Sequence, residues 1–226
     1  VDPLLRGTTT LNVTASRDAS DVITVSSLSL DGAANLRFSG TVAGLMDDGQ
    51  LRVDGRAQGS MPNLSALAGL TGQALRGSVT FDTDIALVQP DGPVDVTGTV
   101  TAQGLGIGNP TLDPFLAGTT RADIDIQRTA GGALRIERLV VDGSSIDGSV
   151  SGSLSGQAAD LRLDVSVAGL ERLVPELPGT GTVSGTWRHA GGPGQVALPA
   201  TRPGGVVALV SGAAAQDFST VNLNLN

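Results

Sequence analysis

Leu36-Arg37-Phe38-Ser39-Gly40-Thr41-Val42 alternates apolar or small residues with polar ones, position by position. Side chains on a β-strand point to opposite faces in turn, so a period of two gives one apolar face and one wetted face. The pattern recurs down the chain. Val79, Phe81, Ile85 and Leu87 stand against Thr80, Asp82 and Asp84; Leu161, Leu163, Val165 and Val167 stand against Arg162, Asp164 and Ser166. A chain of 226 residues built this way predicts a large one-sided sheet whose apolar side needs a cover.

Strand-like runs lie near 8–15, 22–30, 35–42, 50–57, 78–88, 94–102, 119–127, 133–141, 145–154, 160–168, 181–188, 206–210 and 219–225. Asp31-Gly32, Asp91-Gly92, Gly131-Gly132 and Asp142-Gly143 punctuate them. Such dipeptides favour tight turns with positive φ and antiparallel neighbours, so the expected topology is a meander. Short helical stretches interrupt the strands. Pro62 to Leu70 spaces Leu64, Leu67 and Leu70 helically behind a first-turn proline. Leu170, Leu173, Val174 and Leu177 form a comparable stretch, and Pro110 to Leu116 and Pro3-Leu4-Leu5 are shorter ones.

These interruptions expose an internal repeat. Leu4-Leu5-Arg6-Gly7-Thr8-Thr9 matches Phe115-Leu116-Ala117-Gly118-Thr119-Thr120, and Leu30-Asp31-Gly32 matches Val141-Asp142-Gly143 at the same offset. A repeat of this size, holding several strands, implies growth in one dimension. Residues 1–226 therefore read as one segment without a domain boundary, loosening only between Gly191 and Gly205. Both ends fall inside the pattern, as in a piece of a longer repeat protein.

Composition narrows the function. Aromatics are 2% of the chain, with no Tyr and one Trp, too few for the aromatic filling of most sandwich cores. Gly, at 32 residues, marks bends and close approaches in strands and predicts strong curvature. Every basic residue is Arg, so lysine nucleophiles, Schiff bases and the phosphate-loop lysine are all excluded. A net charge of −8 opposes nucleic-acid binding, which rests on cationic contacts to phosphate. Without Cys there is no disulfide framework or thiolate metal site. No stretch approaches the roughly 18 apolar residues of a membrane span.

Catalytic patterns fail one by one. His189 is the only histidine, and no Gly-x-Ser-x-Gly elbow exists to partner it; Gly152-Ser153-Leu154-Ser155-Gly156 has Leu154 where the nucleophile belongs. His189 reads as a loop residue. Asp82/Asp84 and Asp123/Asp125 lie two apart on single strand faces but lack the spacing and later Glu of a calcium loop, so they read as solvated strand positions. Gly191-Gly192-Pro193-Gly194 breaks off before becoming a β-roll repeat, and Gly104-Leu105-Gly106-Ile107-Gly108 leads to Asn109-Pro110, not to a phosphate-binding helix. No metal or other cofactor is implied.

The apolar face remains. Thirteen strands about 4.8 Å apart give a sheet roughly 60 Å long, and a lining about 15 Å across gives ~900 Å² of apolar surface. That exceeds the roughly 300–600 Å² of the largest patch on an ordinary monomer. The face either folds on itself as a sandwich core or stays open as a curved groove. Few aromatics, many glycines and the repeat favour the groove. Its candidate lining is Phe38, Val42, Phe81, Ile85, Val96, Val100, Ile124, Ile126, Val150, Leu163, Val165 and Trp187. Such a wall, without recurring polar groups, suits acyl chains.

The stretch Gly104-Leu105-x-Ile107-Gly108-Asn109-Pro110-x-Leu112-Asp113-x-Phe115-Leu116-x-Gly118-Thr119-Thr120, followed by alternating strands and Leu139-Val140-Val141-Asp142-Gly143, resembles the TamB family, AsmA-like subunits of bacterial translocation and assembly modules. The Arg-only, Ala- and Gly-rich composition is similar to that of versions from GC-rich bacteria. The resemblance implies a β-taco, an antiparallel sheet curled into a trough with a hydrophobic concave side. It further implies a periplasmic bridge, anchored in the inner membrane by its parent chain and meeting an outer-membrane barrel partner of the TamA type, that is implicated in outer-membrane protein assembly and in moving phospholipids between the two membranes. It supplies no catalytic residues. A scaffold that adds unfolded outer-membrane strands to a sheet edge is the second expectation, and a surface adhesin built as a β-solenoid is the third.

Overall fold

A computed structural model describes the backbone of residues 8–45, 50–67, 74–110, 112–156, 158–172, 179–190, 194–202, 205–214 and 221–225, with side chains as far as Arg188. The period-two stretches form fourteen strands: β1 Thr10–Arg17, β2 Ile23–Asp31, β3 Asn35–Ala43, β4 Leu51–Met61, β5 Arg76–Gln89, β6 Val94–Gly106, β7 Thr119–Arg128, β8 Leu134–Gly143, β9 Ile146–Ser155, β10 Ala158–Ala168, β11 Thr180–Ala190, β12 Gly194–Arg202, β13 Gly205–Ala214 and β14 Val221–Leu225. They lie side by side in sequence order in one antiparallel sheet that does not close on itself. Parallel solenoid coils are thereby ruled out.

The sheet is a single curled layer. Its accessible surface of 13295 Å² compares with about 9,500 Å² for a compact monomer of this mass. Among the described residues no side chain is less than 2% exposed, as a sandwich core would require. Yet Ala57 and Thr83 are each only 6% exposed. Small side chains are covered this well on a single layer only where longer neighbours lean over them, on the inside of a bend.

The repeat is written into the strand geometry. A bulge shifts the β1–β2 register between Thr14 and Ala15, and its counterpart one repeat later shifts β7–β8 between Asp125 and Ile126. The β2–β3 irregularity between Val25 and Leu28 recurs between Ile136 and Leu139, at the same offset. An extra residue in one strand increases local twist and bends the sheet, so each unit bends at matching places.

Several expectations are corrected. The stretch expected to loosen, Gly191 to Gly205, contains β12, a strand absent from the sequence reading. Pro199 hides it, because proline inside a run argues against a strand. In the backbone, β11–β12 pairing lapses between Val183↔Ala200 and Thr186↔Ala197, opposite the residue that has no N–H. His189 lies on β11 opposite Ala159, not in a loop. Of the four turn dipeptides, two supply a positive φ, through Asp91 at 51° and Gly132 at 80°. Asp142-Gly143 instead completes β8.

Among the described residues the helical interruptions comprise 3₁₀ turns at Leu64–Leu67 and Leu170–Arg172 and an α turn at Asp113–Leu116. Leu70, Leu173, Val174, Leu177 and Pro3 to Leu5 lie outside the described residues. The first turn is capped by Asn63, whose Oδ1 accepts the Ser65 N–H at 3.0 Å, so Pro62 precedes the cap and is not the first helical residue.

Candidate functional site

Strand register brings the predicted lining together. Ile85 opposes Val96, Val96 opposes Ile126, and farther along Leu161 opposes Trp187. A parallel row passes from Phe38 through Ala57, Thr83 and Gly98 to Ile124. It continues through Leu139 and Val150 to Leu163. A third row carries Phe81 opposite Val100 and Val165 opposite Val183, and Val42 faces Val53 beside these rows. All twelve predicted residues therefore share one face. All are half-buried except Trp187, which is buried.

Thr83 is the polar side chain at the crease of the trough, and it does not offer its hydroxyl to a ligand. Its Oγ1 donates to the Ala57 carbonyl at 3.3 Å, which turns only the methyl group inward. Phe38 and Phe81 are accommodated by glycines. A Cβ at Gly55 would fall 2.7 Å from Phe38 Cζ, and one at Gly59 2.5 Å from Phe81 Cζ. Both rings therefore lie along the floor instead of standing into the trough. At the other end Trp187, Leu161 and Ala159 form the tightest apolar cluster, with Ile136, Leu154 and Leu163 packed against it.

Sequence reasoning missed Val25, Ile136, Leu139 and Leu161 as lining. Leu161 was legible from its own alternation. The others were obscured by the bulges: Ile136 and Leu139 are three apart, yet both are half-buried while Glu137 and Arg138 between them are exposed.

On the opposite face, several acids are paired with arginines. Arg56 grips Asp82 through two hydrogen bonds of 2.7 and 2.6 Å, and Gln58 adds a third at 2.9 Å. These bonds, Arg56's first, hold the Asp82 carboxyl down at about 2. Thr99 donates to Asp123 at 3.0 Å and is the main cause of its lowered pKa, with Arg121 at 2.9 Å and Arg138 at 3.5 Å assisting. One hollow on this face is lined by Arg56, Thr80, Asp82, Asp84, Thr99 and Arg121, and of its two acids Asp82 is engaged by Arg56. Among the described residues no grouping of His, Asp and Glu suits a metal ion.

The two long sides of the trough differ. In a meander, alternate connections fall on the same side, so the helical turns after β4, β6 and β10 all lie along one rim. There Phe115 is 2% exposed, the most deeply covered side chain described. Asp113 accepts the Ile107 N–H at 2.8 Å and an Arg76 N–H at 2.6 Å, and both depress its pKa, the backbone bond more strongly. Arg172, from the next turn along, lies 5.9 Å over the Phe115 ring and donates to the Pro114 carbonyl at 3.3 Å. Ser144 bonds the Ala117 carbonyl at 2.8 Å. This rim is braced from one helical turn to the next, whereas tight turns such as Thr129–Ala133 and Gln89–Pro93 form the other.

No protein-family model, curated protein or solved structure matches the chain. The trough and its register carry the functional argument.

Proposed function

We propose that the chain is a non-enzymatic segment of a TamB-like bridge between inner and outer membranes, whose trough shields phospholipid acyl chains as they cross the periplasm. The observation that carries this reading is the continuity of the apolar rows across β2 to β11, where the residue at the crease turns its hydroxyl into the backbone. A wall of methyl and methylene groups holds a hydrocarbon chain by excluding water and leaves it free to slide. Covering eight methylenes amounts to about 6 kcal/mol of hydrophobic free energy. The resemblance of Gly104 to Thr120 and of Leu139 to Gly143 to TamB sequences supports the periplasmic setting and a barrel partner reached through the parent chain.

Native mass spectrometry of the chain purified from bacteria tests the proposal, together with photo-crosslinking probes at Phe81 and Val165. Phospholipid should accompany the protein and both probes should capture it. A lipid-free mass with no crosslinked lipid at either position would sink the reading.

A further inference from the structure

We propose that the Arg128 guanidinium is a phosphate-binding station on the rim of the trough, holding the anionic phosphate of a phospholipid headgroup while the acyl chains lie on the apolar rows beside it. The inference rests on the reading of the trough as a phospholipid groove and adds the group that recognises the lipid's polar end.

Strand register puts Arg128 where such a lipid passes from wet to dry. It is the last residue of β7 and alternates with Ile124 and Ile126, so it belongs to the apolar face at the rim of tight turns. Val94 of β6 and Leu134 of β8 flank it, and both are half-buried, whereas Arg128 is exposed. An arginine so placed lays its methylene stem along apolar neighbours and keeps its charged head at the water. The carboxylate one step back, Asp95 opposite Gln127, is on the other face. Among the described residues the Arg128 guanidinium has no ion-pair or hydrogen-bond partner.

The repeat supplies the contrast. Arg17, one repeat earlier, likewise ends its strand opposite an apolar residue, Ile23. The turns that follow the two arginines are built alike. The Asp18 N–H bonds the Val22 carbonyl and the Asp21 N–H bonds the Asp18 carbonyl; the Thr129 N–H bonds the Ala133 carbonyl and the Gly132 N–H bonds the Thr129 carbonyl. Asp21 and Gly132 hold the same left-handed position, at φ 61° and 80°. In the first turn Asp21 Oδ1 lies 2.5 Å from the Arg17 guanidinium and pairs with it. In the second, Gly132 has no side chain to do so, and a Cβ added there would meet nothing within 4 Å. One scaffold thus carries a closed arginine and an open one. The open guanidinium offers a fork of N–H donors that matches two oxygens of a phosphate.

The test compares dioctanoylphosphatidic acid with dioctanoylglycerol, which has the same chains and no phosphate, by calorimetric titration into the unmodified chain. The phosphatidic acid should bind about fivefold tighter or more, the modest gain of a charge-assisted hydrogen bond at an exposed site. Arg128→Gln should abolish the preference and leave the affinity for dioctanoylglycerol within about twofold, because the apolar rows are untouched. Gly132→Asp rebuilds the Arg17–Asp21 arrangement with Arg128 still in place, and it should abolish the preference as well. A preference that survives either substitution, or equal affinity of the unmodified chain for the two lipids, would overturn the phosphate site and leave the trough standing. Failure of both lipids to bind would bring down the trough reading together with the site. Inorganic phosphate that binds as tightly as the phosphatidic acid, and is lost in Arg128→Gln, would mark a free-phosphate site and overturn the headgroup assignment.

Discussion

The ring of Phe81 lies across Gly59, so near that a Cβ on the glycine would sit 2.5 Å from Phe81 Cζ and 2.8 Å from the Asn35 carbonyl oxygen. Gly59 and Phe81 are register partners on β4 and β5, so a large and a minimal residue are matched across the strands. This matching flattens an aromatic ring onto the floor of a trough. Gly59→Ala should cost about 1–3 kcal/mol, the usual range for overpacking. Urea melts of Gly59→Ala and of Gly59→Ala with Phe81→Leu check it, since the smaller partner should return part of the loss.

The braced rim should dominate stability. Phe115 is 2% exposed, so Phe115→Ala should cost about 3–5 kcal/mol, with the cavity left behind included. Leu11→Ala, at a residue 59% exposed on β1, should change stability by less than about 0.5 kcal/mol. Thermal denaturation of both variants under one buffer decides whether the rim or the edge carries the fold.

The Asp82 carboxyl is depressed to about 2 by Arg56 and Gln58. A folded-state pKa below the unfolded value means that the stabilisation is fully present above about pH 4. It is then lost as the pH falls towards 2. The pair is solvent-exposed, so the effect is modest and salt-sensitive. Asp82→Asn should flatten the decline in stability between pH 4 and 2 while leaving its slope near neutrality unchanged. Melts across that range at low and high salt would show it.

A charge on the trough floor should expel cargo. Ile85 lies between Gly55 and Val96, so Ile85→Asp places a carboxylate in the middle of an apolar row. Co-purified phospholipid should fall at least tenfold, whereas Thr80→Asp on the exposed outer face should leave it unchanged. Lipid extraction and quantitation from matched preparations, with circular dichroism to confirm folding, provides the measurement. Equal lipid in both variants would argue against the trough as the binding surface.

Much of the molecule was legible because period-two alternation depends only on neighbours in the chain. Leu36, Phe38, Gly40 and Val42 announce their face by spacing, and strand register places them on the same sheet face as Phe81, Ile85, Val96 and Ile124. Ile136 and Leu139 show where this fails: a bulge between them reverses the parity, and local periodicity cannot say on which side of it the face resumes. β12 was lost for a related reason. Proline argues against a strand locally, but a sheet can skip the two pairs opposite Pro199 and keep the pairs on either side.

The sequence by itself determined the one-sided strands, their antiparallel order and the internal repeat, because turns, alternation and repetition are short-range properties of a chain. Only the tertiary structure decided that the sheet stays a single curled layer, that the helical turns gather on one rim, and that Phe81 folds down over Gly59. Those features depend on which residues meet across strands, and that is set by register and bulges accumulated along the whole sheet.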